Sequence, residues 1–153
     1  EQLDLELVIQ DMEFDAVVTS VGKNNVDIAM AGLTFNETRK KSVNFTTSYY
    51  NAAQMLVALD TETAFDACKT VADVEAILNG YDNTKKAGFQ NGTTGNWYVV
   101  GDEDWGFAGL KVEGKGYSNG SLAIQDLINN NIDFVVIDAD PAVFITTAIN
   151  EVA

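Results

Sequence analysis

Apolar and polar residues follow two periods along this chain. Phe14, Val17, Val18 and Val21 fall at i, i+3, i+4 and i+7, one face of a helix. Asp11 is placed to cap that helix and Gly22 to end it. Val71, Val74, Ile77 and Leu78 repeat the period, opened by Thr70 or Val71 and stopped by Gly80. Leu122, Ile124, Leu127 and Ile128 do so less regularly after Ser118 or Asn119. Between the helices lie short apolar runs, each reading as a strand: Leu5–Ile9, Val26–Ala31, Gln54–Leu59, Lys86–Gln90, Lys111–Tyr117 and Asn131–Asp138. Glu1–Leu5 reads as the tail of a helix, and Asp140-Pro141 as the first turn of the last one. Asn96–Val100 starts a helix that the acidic, glycine-rich stretch after it turns into a loop. Strands alternating with helices predict an α/β fold.

Composition narrows the class. A chain of 153 residues, 46% hydrophobic, suits one domain or two small lobes. The net charge of −14 argues against nucleic acid, whose binders need Lys and Arg for the phosphates. Cys68 is the single cysteine, so no internal disulfide forms, and it reads as a packed small hydrophobe. The chain has no histidine, which excludes histidine-based catalysis and His-ligated metal. No apolar run is long enough to span a membrane.

Two stretches echo each other. Residues 22–30, GKNNVDIAM, and 128–136, INNNIDFVV, each pair Asn-Asn and a β-branched residue with Asp and an apolar run. One reading is an internal duplication of a βαβ unit, each copy bringing a polar edge to a shared cleft. The other is good turn-and-strand chemistry used twice.

Polar groups gather where strands are expected to end. Gly32 breaks the run ending at Ala31, Thr34 follows, and Arg39 is the lone arginine. A guanidinium past the carboxyl end of a strand can grip a carboxylate at two points, or simply make a surface ion pair. Thr93 and Thr94 lie in a Gly-flanked turn between a strand and a helix, a turn suited to anions or to no ligand at all. Asp138 ends the last strand and either faces a ligand or caps the next helix. Tyr49, Tyr50, Trp97, Trp105 and Phe107 are candidates for a side-chain pocket or for core.

The run AGLT, the arginine five residues after its Thr, and the KKSVNFTTSYY that follows resemble the amino-acid-binding (family 3) solute-binding proteins of ABC importers. The QNGTTG element matches the same family. The resemblance implies a periplasmic-binding-protein-like type II α/β fold with two βαβ-type lobes, the first incomplete and the second nearly complete. Residues 1–55 would be the partial first lobe and 56–153 the second, with the crossing near 50–59. It implies that Arg39, Thr34 and Gly32 hold the α-carboxylate and backbone of a free amino acid. Thr93 and Thr94, flanked by Gln90, would complete the carboxylate site, and Asp138 would take the ammonium.

By the same resemblance the chain corresponds to the middle of a longer protein, lacking a first strand and helix and a return segment. The implied function is capture of a free amino acid for delivery to a membrane permease, with no turnover, metal or cofactor. The alternative is the ligand-sensing domain of a membrane receptor or histidine kinase. The implied location is extracellular or periplasmic, with the parent lipid-anchored. An exposed sheet edge on an incomplete lobe predicts a homodimer or swapped assembly.

Overall fold

The structure is a computed structural model that describes residues 4–152. Its centre is a four-stranded sheet of β1 (Gln54–Val57), β2 (Lys86–Gln90), β3 (Glu113–Tyr117) and β4 (Phe134–Asp138), in the order β1-β4-β2-β3. β2 runs parallel to both β3 and β4, and β1 runs antiparallel to β4 with Gln54 opposite Asp138. The helices are α1 (Phe14–Gly22), α2 (Glu37–Lys40), α3 (Val71–Gly80), α4 (Thr94–Val100), α5 (Gly120–Ile128) and α6 (Ala139–Asn150).

β4 is an inner strand, buried on both faces. Successive side chains point to opposite sides of a strand, and here each side meets its own apolar cluster. Phe134 and Val136 join Leu78, Ala87, Phe89, Val99 and Val112, beneath α3 and α4. Val135 and Ile137 join Ala123, Ile124, Leu127, Ile132 and Ala142, beneath α5 and α6. Fully buried Phe134 meets Phe65 edge-on at 5.4 Å and stacks on Tyr81 at 5.7 Å. Gly88 lets the segment between α5 and β4 close on β2, since a Cβ there would lie 2.6 Å from Ile132 Cδ1. Thr70 opens α3 with a reciprocal cap to Asp73, and Asn119, not Ser118, caps α5 by accepting from Leu122 N.

The first fifty residues depart from expectation. α1 forms where the period places it, but Glu13 holds the cap position without a side-chain bond, so Asp11 is not the cap. Neither Leu5–Ile9 nor Val26–Ala31 is a strand. Leu5, Leu7, Val8 and Ile9 are 75% to 85% exposed, and Ile28 and Met30 are 72% and 77% exposed. Strand propensity is local, but a strand also needs a neighbouring ladder for its N–H and C=O groups. No strand pairs with either run among the described residues. The echo is therefore realised as a strand only in its second copy, and the two expected βαβ units reduce to one sheet formed by residues beyond 53. Most of the expected helix tail at Glu1–Leu5 lies outside the described residues.

Candidate functional site

The carboxyl ends of β2 and β4 and the start of β1 share one edge of the sheet, the edge where ligands of open α/β sheets sit. The turn Asn91-Gly92-Thr93 leaves β2 there. Thr93 caps α4, accepting from Asn96 N at 3.3 Å and donating to the Gln90 carbonyl at 2.8 Å. Gly95 sets the first turn of α4 down on β4, since a Cβ there would lie 2.8 Å from the Val136 carbonyl oxygen. Gly92 has φ +71, and a side chain there would overlap the carboxylate of Asp15. α1 is thus brought against the turn.

Arg39 joins the two parts of the chain. Its Nη1 donates to the Thr34 carbonyl and its Nη2 to the Gly92 carbonyl, each at 2.6 Å. The guanidinium lies 4.8 Å from the centre of the Trp97 ring and 5.7 Å from that of Phe14, both cation–π distances. Burial holds its pKa below the usual arginine value, with the Asp15 carboxylate pulling the other way. Arg39 lines a cavity of about 280 Å³ with Phe14, Asp15, Trp97 and Asp102. One cation and two carboxylates around a gap between aromatic faces suit a small ligand carrying both signs of charge.

A second cavity, about 330 Å³, is lined by Thr34 and shares no lining residue with the first. Thr94 Oγ1 donates to Thr34 Oγ1 at 2.9 Å across 60 residues of chain, so the two hydroxyls meet. Gly32, at φ +60, donates its N–H to the Tyr49 hydroxyl at 3.2 Å. Gly32, Thr34 and Thr94 all line this cavity, together with Gln54 and aromatic rings including Phe35, Tyr50 and Trp105.

Asp138 occupies the cap position of α6, but its side chain makes no cap bond. Its carboxylate instead accepts from Gln54 Nε2, and Gln54 is the residue of the pair that lines the second cavity. Gln54 Oε1 is buried with no hydrogen-bond partner among the described residues. Asp140 sits in the first turn of α6 and accepts from the Tyr50 hydroxyl at 2.5 Å.

Gly32, Thr34 and Thr94 therefore line one cavity and Arg39 the other, joined through the bond from Arg39 to the Thr34 carbonyl, while Thr93 and Asp138 line neither. Gln90 stands apart: its side chain donates to the Ser118 carbonyl at 3.3 Å and lines neither cavity. The sequence reading missed Phe14, Asp15 and Gln54. The apolar phase of α1 pointed Phe14 inward, but nothing local said that its neighbour would be a guanidinium.

A mostly parallel open sheet with a polar junction at its carboxyl edge places the molecule among α/β proteins of the type II periplasmic-binding class. More narrowly, the chain belongs to the bacterial extracellular solute-binding proteins, family 3, which matches residues 1–138. It is 27% identical over 139 residues to the L-arginine-binding protein of Pseudomonas aeruginosa, covering 91% of this chain and 48% of that protein. The arginine-bound form of a truncated ArgBP from T. maritima superposes with a TM-score of 0.71 at 29% identity, over 95% of this chain and 61% of that one. An ancestral arginine-binding protein bound to arginine gives a TM-score of 0.74 at 30% identity, over 96% and 58%. The chain spans about half the length of the curated relatives it matches, 48% of the Pseudomonas protein.

Proposed function

We propose that this chain is the ligand-capturing part of an amino-acid ABC importer, holding a free amino acid for delivery to a membrane permease. The observation that carries the reading is the half-buried guanidinium of Arg39, bonded to the main-chain carbonyl of Thr34, the residue whose hydroxyl meets that of Thr94. A guanidinium has five N–H donors, and two hydrogen bonds to main-chain carbonyls leave others for a carboxylate. Thr34 and Thr94 add hydroxyls, Gly32 and Thr93 add backbone groups, and Gln90 flanks the turn. Asp138, held by Gln54, takes the ammonium.

The first candidate ligand is arginine, on the names of the relatives. Asp15 and Asp102 beside Arg39 support a cationic side chain. Residues 1–55 and 56–153 act as two lobes that close by a hinge near 50–59. The reading is capture without turnover, outside the cytoplasm, with the full-length protein held to the membrane by a lipid anchor. A thermal-shift screen of the full-length protein against the twenty amino acids tests it. Arginine should raise the melting temperature most; no shift with any amino acid contradicts the reading.

A further inference from the structure

Gly101–Gly109 follows α4 as a small hairpin in which Asp102 and Phe107 exchange two backbone hydrogen bonds of 2.9 Å. Gly101, Gly106 and Gly109 all have positive φ, at 102°, 68° and 80°. At Gly109 a Cβ would lie 2.7 Å from the Val100 carbonyl oxygen, so the hairpin folds back tightly on the end of α4. Asp102 Oδ1 accepts from Trp105 N at 2.9 Å and fixes the tip. The tip reaches across to the other part of the chain. Asp104 Oδ2 accepts from Thr38 N at 3.1 Å and from Thr38 Oγ1 at 2.7 Å, over 66 residues of sequence.

That contact falls on the element that carries Arg39. α2 is four residues long, a single turn. A single turn does not hold by itself, because nucleation fixes several residues for one hydrogen bond. The first N–H groups of a helix also have no partner within it. Asn36 supplies one, accepting from Arg39 N at 2.8 Å. Asp104 supplies the next, and a carboxylate at a helix start is favoured by the helix dipole. The same hairpin braces the floor beneath the guanidinium. Trp105 stacks on Trp97 with ring centres 6.3 Å apart and planes 28° apart, and it packs against Phe35 at 6.3 Å.

We propose that Asp104 is a positioning residue for Arg39: it orders α2 from the far side of the junction and so sets the guanidinium for its ligand. The first half concerns the protein alone; the second rests on the amino-acid-binding reading above. Two readouts on the full-length protein separate them. The first is amide hydrogen exchange at residues 38–40 without ligand. Asp104→Ala should speed it about tenfold while α3 and α5 stay protected, and Asp104→Asn, which keeps an acceptor oxygen, should restore most of the protection. Thr38→Val, which removes only the hydroxyl, covers the case in which Asp104→Ala disturbs the whole fold.

The second readout is the calorimetric affinity for L-arginine, expected to weaken about tenfold in Asp104→Ala, the size of a lost hydrogen bond to a charged group. Unchanged exchange overturns the positioning role. Faster exchange with unchanged arginine affinity overturns its importance for the ligand. Faster exchange in a protein that binds no arginine even as wild type leaves the hold on α2 standing and removes the functional reading instead.

Discussion

At the scale of single residues, the site depends on charges that find partners far away in sequence. Arg39, the lone arginine behind a Gly-Leu-Thr turn, was open to a surface ion pair on position alone and became a candidate through the family resemblance. Its actual surroundings were not legible: the Gly92 carbonyl is 53 residues away, and the rings of Phe14 and Trp97 come from two different helices. Asp138 was legible as a strand-end carboxylate, but its bond to Gln54 follows from the antiparallel pairing of β1 with β4, which no local pattern specifies. On the proposed reading, removing Asp138 would leave a ligand ammonium buried without its counter-charge, a loss of about 2–5 kcal/mol. Asp138→Ala should therefore weaken arginine binding by at least about thirtyfold in a calorimetric titration. An unchanged affinity would take Asp138 out of the site.

Elements were read best where period and cap agreed. α3 has both its apolar side and its Thr70–Asp73 cap, and α5 has Asn119. β2 spans the same residues the sequence marked, because Lys86–Gln90 is bounded by turn residues on both sides. Leu5–Ile9 and Val26–Ala31 failed for the opposite reason. Their composition suits a strand, but pairing is a property of two segments, and the second segment is not in the described sheet. The junction of β3 with α5 carries its own electrostatic signature. Lys115, then Tyr117 and Asn131, bond to the Asp126 carboxylate and bring its pKa from 3.8 down to about 2.

A carboxylate with a depressed folded pKa stabilises the protein above its unfolded value, and that contribution is lost as pH falls through the folded one. The window here runs from pH 3.8 down to about 2. The Asp126 carboxyl carbon, followed by NMR, should titrate near 2, and Lys115→Ala should move the midpoint up toward 3.8. A wild-type midpoint already at 3.8 would show that the contacts do not persist in solution.

For the whole molecule, the sheet and its two apolar clusters are confined to residues beyond 53, while α1 and α2 add the Arg39 side of the junction. Leu5, Leu7, Val8, Ile9, Ile28 and Met30 present apolar side chains to solvent, as the expected homodimer or swapped assembly of the chain requires. Light scattering should give a mass above the monomer at high concentration; a monomeric mass throughout contradicts it. The sheet's outer strand β3 is guarded by the exposed charges of Glu113 and Lys115, so association through that edge is disfavoured.

The central claim is that one guanidinium at this junction receives the carboxylate of a free amino acid. The direct test is a calorimetric titration of the full-length protein with L-arginine, beside Arg39→Met, which keeps the side-chain stem and removes the charge. One-to-one binding should weaken by about a hundredfold or more in the variant, the cost of leaving a buried carboxylate without its partner. Equal affinity in the two proteins would contradict the account.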